Sequence, residues 1–415
     1  MFLLIVSPVI DTNLSILQRL SSIFILYGTL INVYTHFVVK KLPAGCIRLL
    51  FILPILVTNV AAASVFNHQE IISRTAVLFI ITWLLSFKVL AACLDRGPLM
   101  QAKGLAQFTA LLLLPIFPKR VTPGGGQTQE RPTQQGRLDE DAGSPYQLAC
   151  RWALKVGMLG AVVVGLVVLK DLPRVARDLL QAFGMYGFVG ILMDGPASIV
   201  TQFLGLRIIP TFDSPWMSTC LADFWGRRWN ITTSSVLRVL VYDVITDEAY
   251  LCIEVSHSGP AQNFGCLPVL AGHFVKQPRV KDNKPSGLRR AIGTCATFMI
   301  SGLAHEFILW MLQPDGIVRW KWFTFFSIQG PMMLAEAAIL PWCQKRGIQL
   351  WPWPSRFLTI SILELGACYL FFAPVYYDTD TAERVIDSFY DAYVSLLPHL
   401  SASFSPTMFG SLAQS

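Results

Sequence analysis

The residues best suited to chemistry fall in three stretches. In LADFWGRRWN, residues 221–230, a helical reading sets Asp223, Arg227 and Asn230 on one face and Trp225 with Trp229 on another. Arg227 or Arg228 could meet an anionic ligand while Asn230 supplies a hydrogen bond. Two tryptophans beside two arginines would equally serve as an anchor at the lipid headgroups. In SGLAHEFILW, residues 301–310, His305 and Glu306 interrupt an apolar run. Ionisable groups at that depth are costly and usually face a cavity or a partner. A neutral imidazole there is a good general base for an alcohol, and a histidine hydrogen-bonded between helices is the plainer alternative. Thr294, Ser301 and His305 share a helical face with Gly302 nearby, which predicts a polar, sterically open channel beside the ring. In FFSIQGPMMLAEAAI, residues 325–339, Gln329 and Glu336 share a face, and Gly330-Pro331 is expected to kink the helix and admit a ligand. Glu336 has His305 as its best candidate partner, with a protonated, packed carboxyl as the alternative.

Positioning these residues falls to elements that must live in lipid. The chain has 415 residues, 53% hydrophobic and only 14% charged, whereas soluble domains carry about a quarter charged residues. Apolar runs over 21–39, 49–66, 75–93, 153–169, 181–204, 291–312, 322–343 and 357–375 each approach the roughly 20 residues that cross a bilayer as helix. Residues 105–117 are apolar but too short, and suit a re-entrant or interfacial piece. No run alternates with period two, which a spanning barrel needs. The expected fold is an all-α polytopic membrane protein, a bundle of about eight or nine spans enclosing a tunnel. The first ten residues resemble a signal peptide but lack a basic start and a small-residue cleavage site, and read as an apolar cap near the interface.

The nine cysteines show no CxxC spacing and no Cys/His cluster, so neither a metal site nor a disulfide framework is expected. Nor is a nucleic-acid partner. The net charge of +7 sits in loops: Lys40, Lys41 and Arg48; Lys119, Arg120, Arg131 and Arg137; and a cluster from Lys276 to Arg290. The positive-inside rule turns these loops to the cytosol, although Lys170, Arg174 and Arg177 then fall on the far side. Residues 121–146 are rich in Gly, Pro, Gln and charge and read as a flexible cytosolic linker. That linker separates N-terminal transmembrane helices (1–120) from a core (147–390) and a C-terminal tail (391–415). Between 205 and 290 lie an amphipathic segment, 236–255, and a Gly/Pro-rich loop, 256–287. Asn13-Leu14-Ser15 and Asn230-Ile231-Thr232 are glycosylation sequons, the second expected to be idle on the cytosolic side.

FWGRRWN, then SGLAHE, then FFSIQG with a downstream Glu336 resemble, in that order, the wax-synthase branch of the membrane-bound O-acyltransferases. The resemblance covers about residues 190–375, and by size and layout is nearest to fungal enzymes that acetylate hydroxyls of terpenoids and related secondary metabolites. It implies an acyltransferase core with His305 as general base and Asn230 as the second polar residue of the site, able to stabilise an oxyanion. It also implies acyl-CoA, acetyl-CoA in particular, as co-substrate rather than a bound cofactor, with Arg227, Arg228 and the 276–290 basic cluster meeting its phosphates. Trp225, Trp229, Gln329, Glu306 and Glu336 would shape the site. The acceptor would be an apolar alcohol drawn from the membrane, and the expected location is the endoplasmic reticulum with the entrance facing the cytosol. There is no GxSxG elbow and no Cys–His pattern, so no acyl-enzyme is required.

A long-chain-alcohol wax ester synthase is the nearest alternative. A transporter could also use intramembrane His and Glu, but should show paired broken helices in two related halves, and no internal repeat is visible. A non-catalytic scaffold leaves His305, Gln329 and Glu336 without a purpose.

Overall fold

The computed structural model describes residues 15–118, 145–169, 171–246, 285–348 and 351–391. The expected apolar cap, the Asn13 sequon, the linker up to residue 144, the loop from 256 to 284 and the tail beyond 391 lie outside the described residues. So do the basic residues at 119, 120, 131, 137, 276, 279, 281 and 284.

Seven helices among the described residues are long and apolar enough to cross a membrane, as an integral membrane protein requires. They are α1 (Ile16–Lys41), α2 (Cys46–Val65), α3 (Ile71–Cys93), α5 (Pro145–Val168), α6 (Arg174–Leu204), α9 (Gly287–Leu312) and α10 (Lys321–Lys345). The eighth apolar run is also helical, α11 (Pro352–Gly366), and continues through a π-turn, Ala367–Phe371, before a break at Phe372. Among the described residues no strand forms beyond one isolated antiparallel bridge, Pro118 to Ile208.

Of the seven, α3 is the most buried and α5 and α10 the least. Its stretch Leu78–Leu85 is apolar all round, as suits a central helix surrounded by protein. The short segment expected at 105–117 is α4 (Leu105–Leu113), nine residues long. It ends at Leu114, just before Pro115, where a fully buried lysine of α3 meets its C-terminal end. Lys88 Nζ donates to the Leu111 carbonyl at 2.8 Å and the Leu114 carbonyl at 2.5 Å, satisfying acceptors that the helix itself cannot.

The antiparallel pair α9–α10 carries two of the three stretches. Its helices touch backbone to backbone. A Cβ on Gly302 would lie 2.9 Å from the Phe323 carbonyl oxygen, and one on Gly330 would lie 3.0 Å from Cys295 Cα. The open channel expected beside Gly302 is therefore filled by α10. Nor does Gly330-Pro331 break its helix, since α10 runs unbroken through Pro331 and Pro341. Both glycines serve helix contact rather than ligand approach.

Between α9 and α10, Glu306 is buried and accepts three backbone N–H groups: Arg319 at 3.0 Å and Trp320 at 2.6 Å on Oε1, and Phe323 at 3.1 Å on Oε2. These are orphan donors at the start of α10, so Glu306 is the cap of that helix.

Candidate active site

The segment 221–230 is not one helix. Leu221–Asp223 opens it, a π-turn Phe224–Arg228 follows, and together they form α7. Trp229 is extended, and its N–H bonds to the Phe224 carbonyl at 2.9 Å. Asn230 then turns left-handed, with φ 42° and ψ 58°, a conformation asparagine tolerates better than most residues. Asn230 starts a new helix, α8 (Ile231–Leu237, running on through Arg238–Tyr242 and Asp243–Thr246). Its Oδ1 accepts the Thr233 N–H at 3.2 Å, an N-cap. The expected shared face of Asp223, Arg227 and Asn230 is thus broken after Arg228. Because a backbone N–H can only donate, the cap fixes which arm of the amide is oxygen, and the NH₂ arm stays out of the cap as a donor.

Asp223, buried, is the hub of α7. Arg227 Nε and Arg228 Nε each lie 2.9 Å from its two oxygens. Arg228 also donates to the Asp213 carbonyl at 3.1 Å and is committed to the scaffold, whereas the Arg227 side chain is half exposed. Glu336 accepts the Leu221 N–H at 2.9 Å and the Ala222 N–H at 3.3 Å, so a second carboxylate caps a second helix. It is not the partner of His305, which stacks on Phe326, ten positions and about 15 Å of helical rise earlier on α10.

The strap before α7 grips both sides of the Trp229–Asn230 turn. Asp213 N donates to the Arg228 carbonyl at 3.0 Å and Ile231 N to the Thr211 carbonyl at 2.8 Å. The Phe212 ring lies 4.9 Å from Trp229.

His305 sits among rings. Phe326 stacks on it at 4.0 Å and 26°, Trp83 of α3 meets it edge-on at 5.0 Å, and Trp322 lies at 6.1 Å. Its Nδ1 is 2.7 Å from the Ser301 carbonyl oxygen. A carbonyl only accepts, so Nδ1 carries the proton and the neutral ring presents Nε2 as its basic nitrogen. Ser301 Oγ is 3.5 Å away, while Thr294 bonds to the Arg290 carbonyl on its own helix.

Trp225 and Gln329 join the two halves. Trp225 Nε1 donates to Gln329 Oε1 at 3.1 Å, and Gln329 Nε2 donates to the Phe325 carbonyl at 3.1 Å. The Trp225 ring meets Phe326, the residue under His305, at 5.8 Å. Its carbonyl accepts from Ser234 Oγ at 3.1 Å, one turn after Asn230. Of the residues expected to form a site, Trp225, Gln329, His305 and the Asn230 turn are thus linked, while Glu306 and Glu336 act as helix caps. The sequence reading missed Asp223 as a hub, the aromatic lining from Trp83 and Phe326, and the strap over 211–213.

No family model matches the chain. It is 26% identical over 362 residues to acyl-CoA–sterol O-acyltransferase 1 of Arabidopsis thaliana, covering 86% of this chain and 90% of that one. The chain is homologous to plant O-acyltransferases. Two further relatives from Arabidopsis thaliana are probable long-chain-alcohol O-fatty-acyltransferases 8 and 7. The first is 25% identical over 343 residues, 82% of this chain and 85% of that protein. The second is 28% identical over 354 residues, 83% and 86%. These matches cover 82–86% of the chain and so extend the likeness beyond the stretch 190–375.

Proposed function

We propose that this protein is a membrane O-acyltransferase that moves an acyl group from acyl-CoA to the hydroxyl of an apolar alcohol, with His305 as general base. The observation that carries the reading is the fixed tautomer of His305, whose Nδ1–H is spent on the Ser301 carbonyl so that Nε2 can take a proton. In the proposed step Nε2 removes the hydroxyl proton as the alcohol oxygen attacks the thioester carbonyl. The amide NH₂ of Asn230 donates to the oxyanion of the tetrahedral intermediate. The intermediate collapses with cleavage of the C–S bond, and the imidazolium returns its proton to the departing thiolate. Ester and free coenzyme A leave, and the enzyme is unchanged.

Both arginines pair with Asp223, but the half-exposed Arg227 is the better placed to meet the coenzyme A phosphates, because Arg228 is more buried and also tied to Asp213. The basic loops support an entrance on the cytosolic face, and the endoplasmic reticulum is the proposed location. The alcohol would arrive through the bilayer, where each buried CH₂ favours lipid by about 0.8 kcal/mol.

For the substrates we infer a polycyclic, terpenoid-type acceptor and an acetyl donor. The sterol named for one relative supports the acceptor class, and the resemblance in size and layout to the fungal enzymes is what favours the donor. A long-chain acyl donor with a fatty alcohol is the second reading, favoured by the names of two other relatives. Competition in microsomes between acetyl-CoA and palmitoyl-CoA, against a sterol, a terpenoid alcohol and hexadecanol, separates them. Acetylation of the polycyclic alcohols is the expected result. A higher kcat/KM for palmitoyl-CoA with hexadecanol, and no polycyclic ester, establishes the second reading. No ester from any pair refutes the acyltransferase.

A further inference from the structure

We propose that the ion pair Lys155–Asp194, within the membrane-spanning helices α5 and α6, is a positioning device that holds Asn230 in its left-handed turn. The proposal rests on the role given to Asn230 above. Charges at that depth are expensive and are kept for a purpose. Lys155 Nζ of α5 bonds to Asp194 Oδ2 of α6, and both side chains are largely buried. Nothing in the catalytic step uses either of them.

Three observations connect the pair to Asn230. Asp194 Oδ1, the oxygen that Lys155 does not take, accepts the Thr211 N–H at 3.3 Å. Thr211 is the strap residue whose carbonyl receives the Ile231 N–H at 2.8 Å, so a single residue separates the carboxylate from the residue after Asn230. The ammonium group also lies over two rings, Phe212 at 5.4 Å and Tyr186 at 5.2 Å, and Phe212 packs on Trp229. The pair therefore reaches the residues on either side of Asn230, Ile231 by hydrogen bonds through Thr211 and Trp229 by ring contact through Phe212.

The helices are shaped to let Lys155 arrive. A Cβ on Gly190 would fall 2.6 Å from Lys155 Cδ, and one on Gly187 would fall 3.4 Å from the Lys155 carbonyl. The lysine stem thus lies directly against Gly190, with Gly187 admitting the α5 backbone, and Trp152 Nε1 ties the same faces together by donating to the Ile191 carbonyl at 3.1 Å. An ion pair serving only stability would have no need to be aimed at a loop, since apolar residues of similar volume often do as well.

The test is a kinetic double-mutant cycle on full-length enzyme in nanodiscs, with folded protein counted by size-exclusion chromatography and ester formation followed with the best pair from the competition assay. Asp194→Ala is expected to lower kcat at least tenfold per folded molecule with KM for acyl-CoA within twofold. In an Asn230→Ala background the same substitution is expected to cost less than twofold. Lys155→Met/Asp194→Asn, which keeps an acceptor oxygen for Thr211 without burying a lone charge, is expected to restore kcat to within threefold of wild type. Loss of folded protein with wild-type kcat, or an equal factor lost with and without Asn230, overturns the proposal and leaves the role of Asn230 standing. Wild-type kcat in Asn230→Ala itself refutes that role and the positioning proposal with it.

Discussion

The His305 ring lies flat on Phe326, 4.0 Å between centroids, with Trp83 edge-on from the opposite helix. Its Nδ1 is anchored to the Ser301 carbonyl, so the imidazole has one orientation and one useful nitrogen. His305→Ala is expected to lower kcat by on the order of a hundredfold or more, since loss of a general base typically costs that much, while the protein still accumulates in membranes. A folded variant keeping above about a tenth of the wild-type rate would show that His305 is not the base.

Arg227 and Arg228 part company. Arg227→Ala is expected to raise KM for acyl-CoA about tenfold, the equivalent of losing one charge-assisted contact of roughly 1.4 kcal/mol, with kcat nearly unchanged. Arg228→Ala removes the links to Asp213 and Asp223 and should reduce the amount of folded protein instead. Titration of coenzyme A against both purified variants checks this, and equal KM for the two would remove the distinction.

Glu306 and Glu336 are expected to differ in degree. Glu306→Ala leaves three partly buried N–H donors without their acceptor, at up to about 1–3 kcal/mol for a single group, and should lower Tm in detergent by several degrees. Glu336 caps α7 with two bonds from a less buried position, so Glu336→Ala should cost on the order of 1 kcal/mol. Glu336→Gln keeps an amide oxygen for Leu221 and should retain most of the activity. A Gln variant as inactive as His305→Ala would instead restore Glu336 as a catalytic partner.

The sequon at Asn230 is expected to stay unmodified. Its Thr232 is fully buried, and the Asn230 side chain is held in place by the cap that its Oδ1 makes on α8. Glycosidase treatment should produce no mobility shift that depends on Asn230. Such a shift would place the Trp229–Asn230 turn on the lumenal side, away from cytosolic acyl-CoA.

What the sequence made legible follows from what kind of signal it holds. Long apolar runs located the membrane helices because length and composition alone decide a span. His305 stood out because an imidazole in such a run is rare. The break at Trp229 was missed because an i, i+4, i+7 spacing fits Asp223, Arg227 and Asn230 whether or not the helix continues. Glu306 and Glu336 drew attention as intramembrane carboxylates, but their role depends on which helix starts beside them, and only tertiary packing decides that. Lys155 and Asp194 met the same criterion, an ionisable group inside a predicted span, and were passed over because no motif surrounded them. The glycines were misread: Gly302 and Gly330 read as openings for a ligand, and the neighbouring helix fills the space.

That close approach of α9 and α10 sets where the enzyme can be redesigned. With Gly302 against the Phe323 carbonyl and Gly330 against Cys295, the seam between the two helices is closed at backbone distance. Shrinking side chains there frees no volume, and adding them pries the helices apart. Room for a larger acceptor must come from the facing wall, where Trp83 packs between Phe79 and Phe87 on the central helix. A library that trims those three rings would vary the space beside His305 while leaving its bond to Ser301 in place.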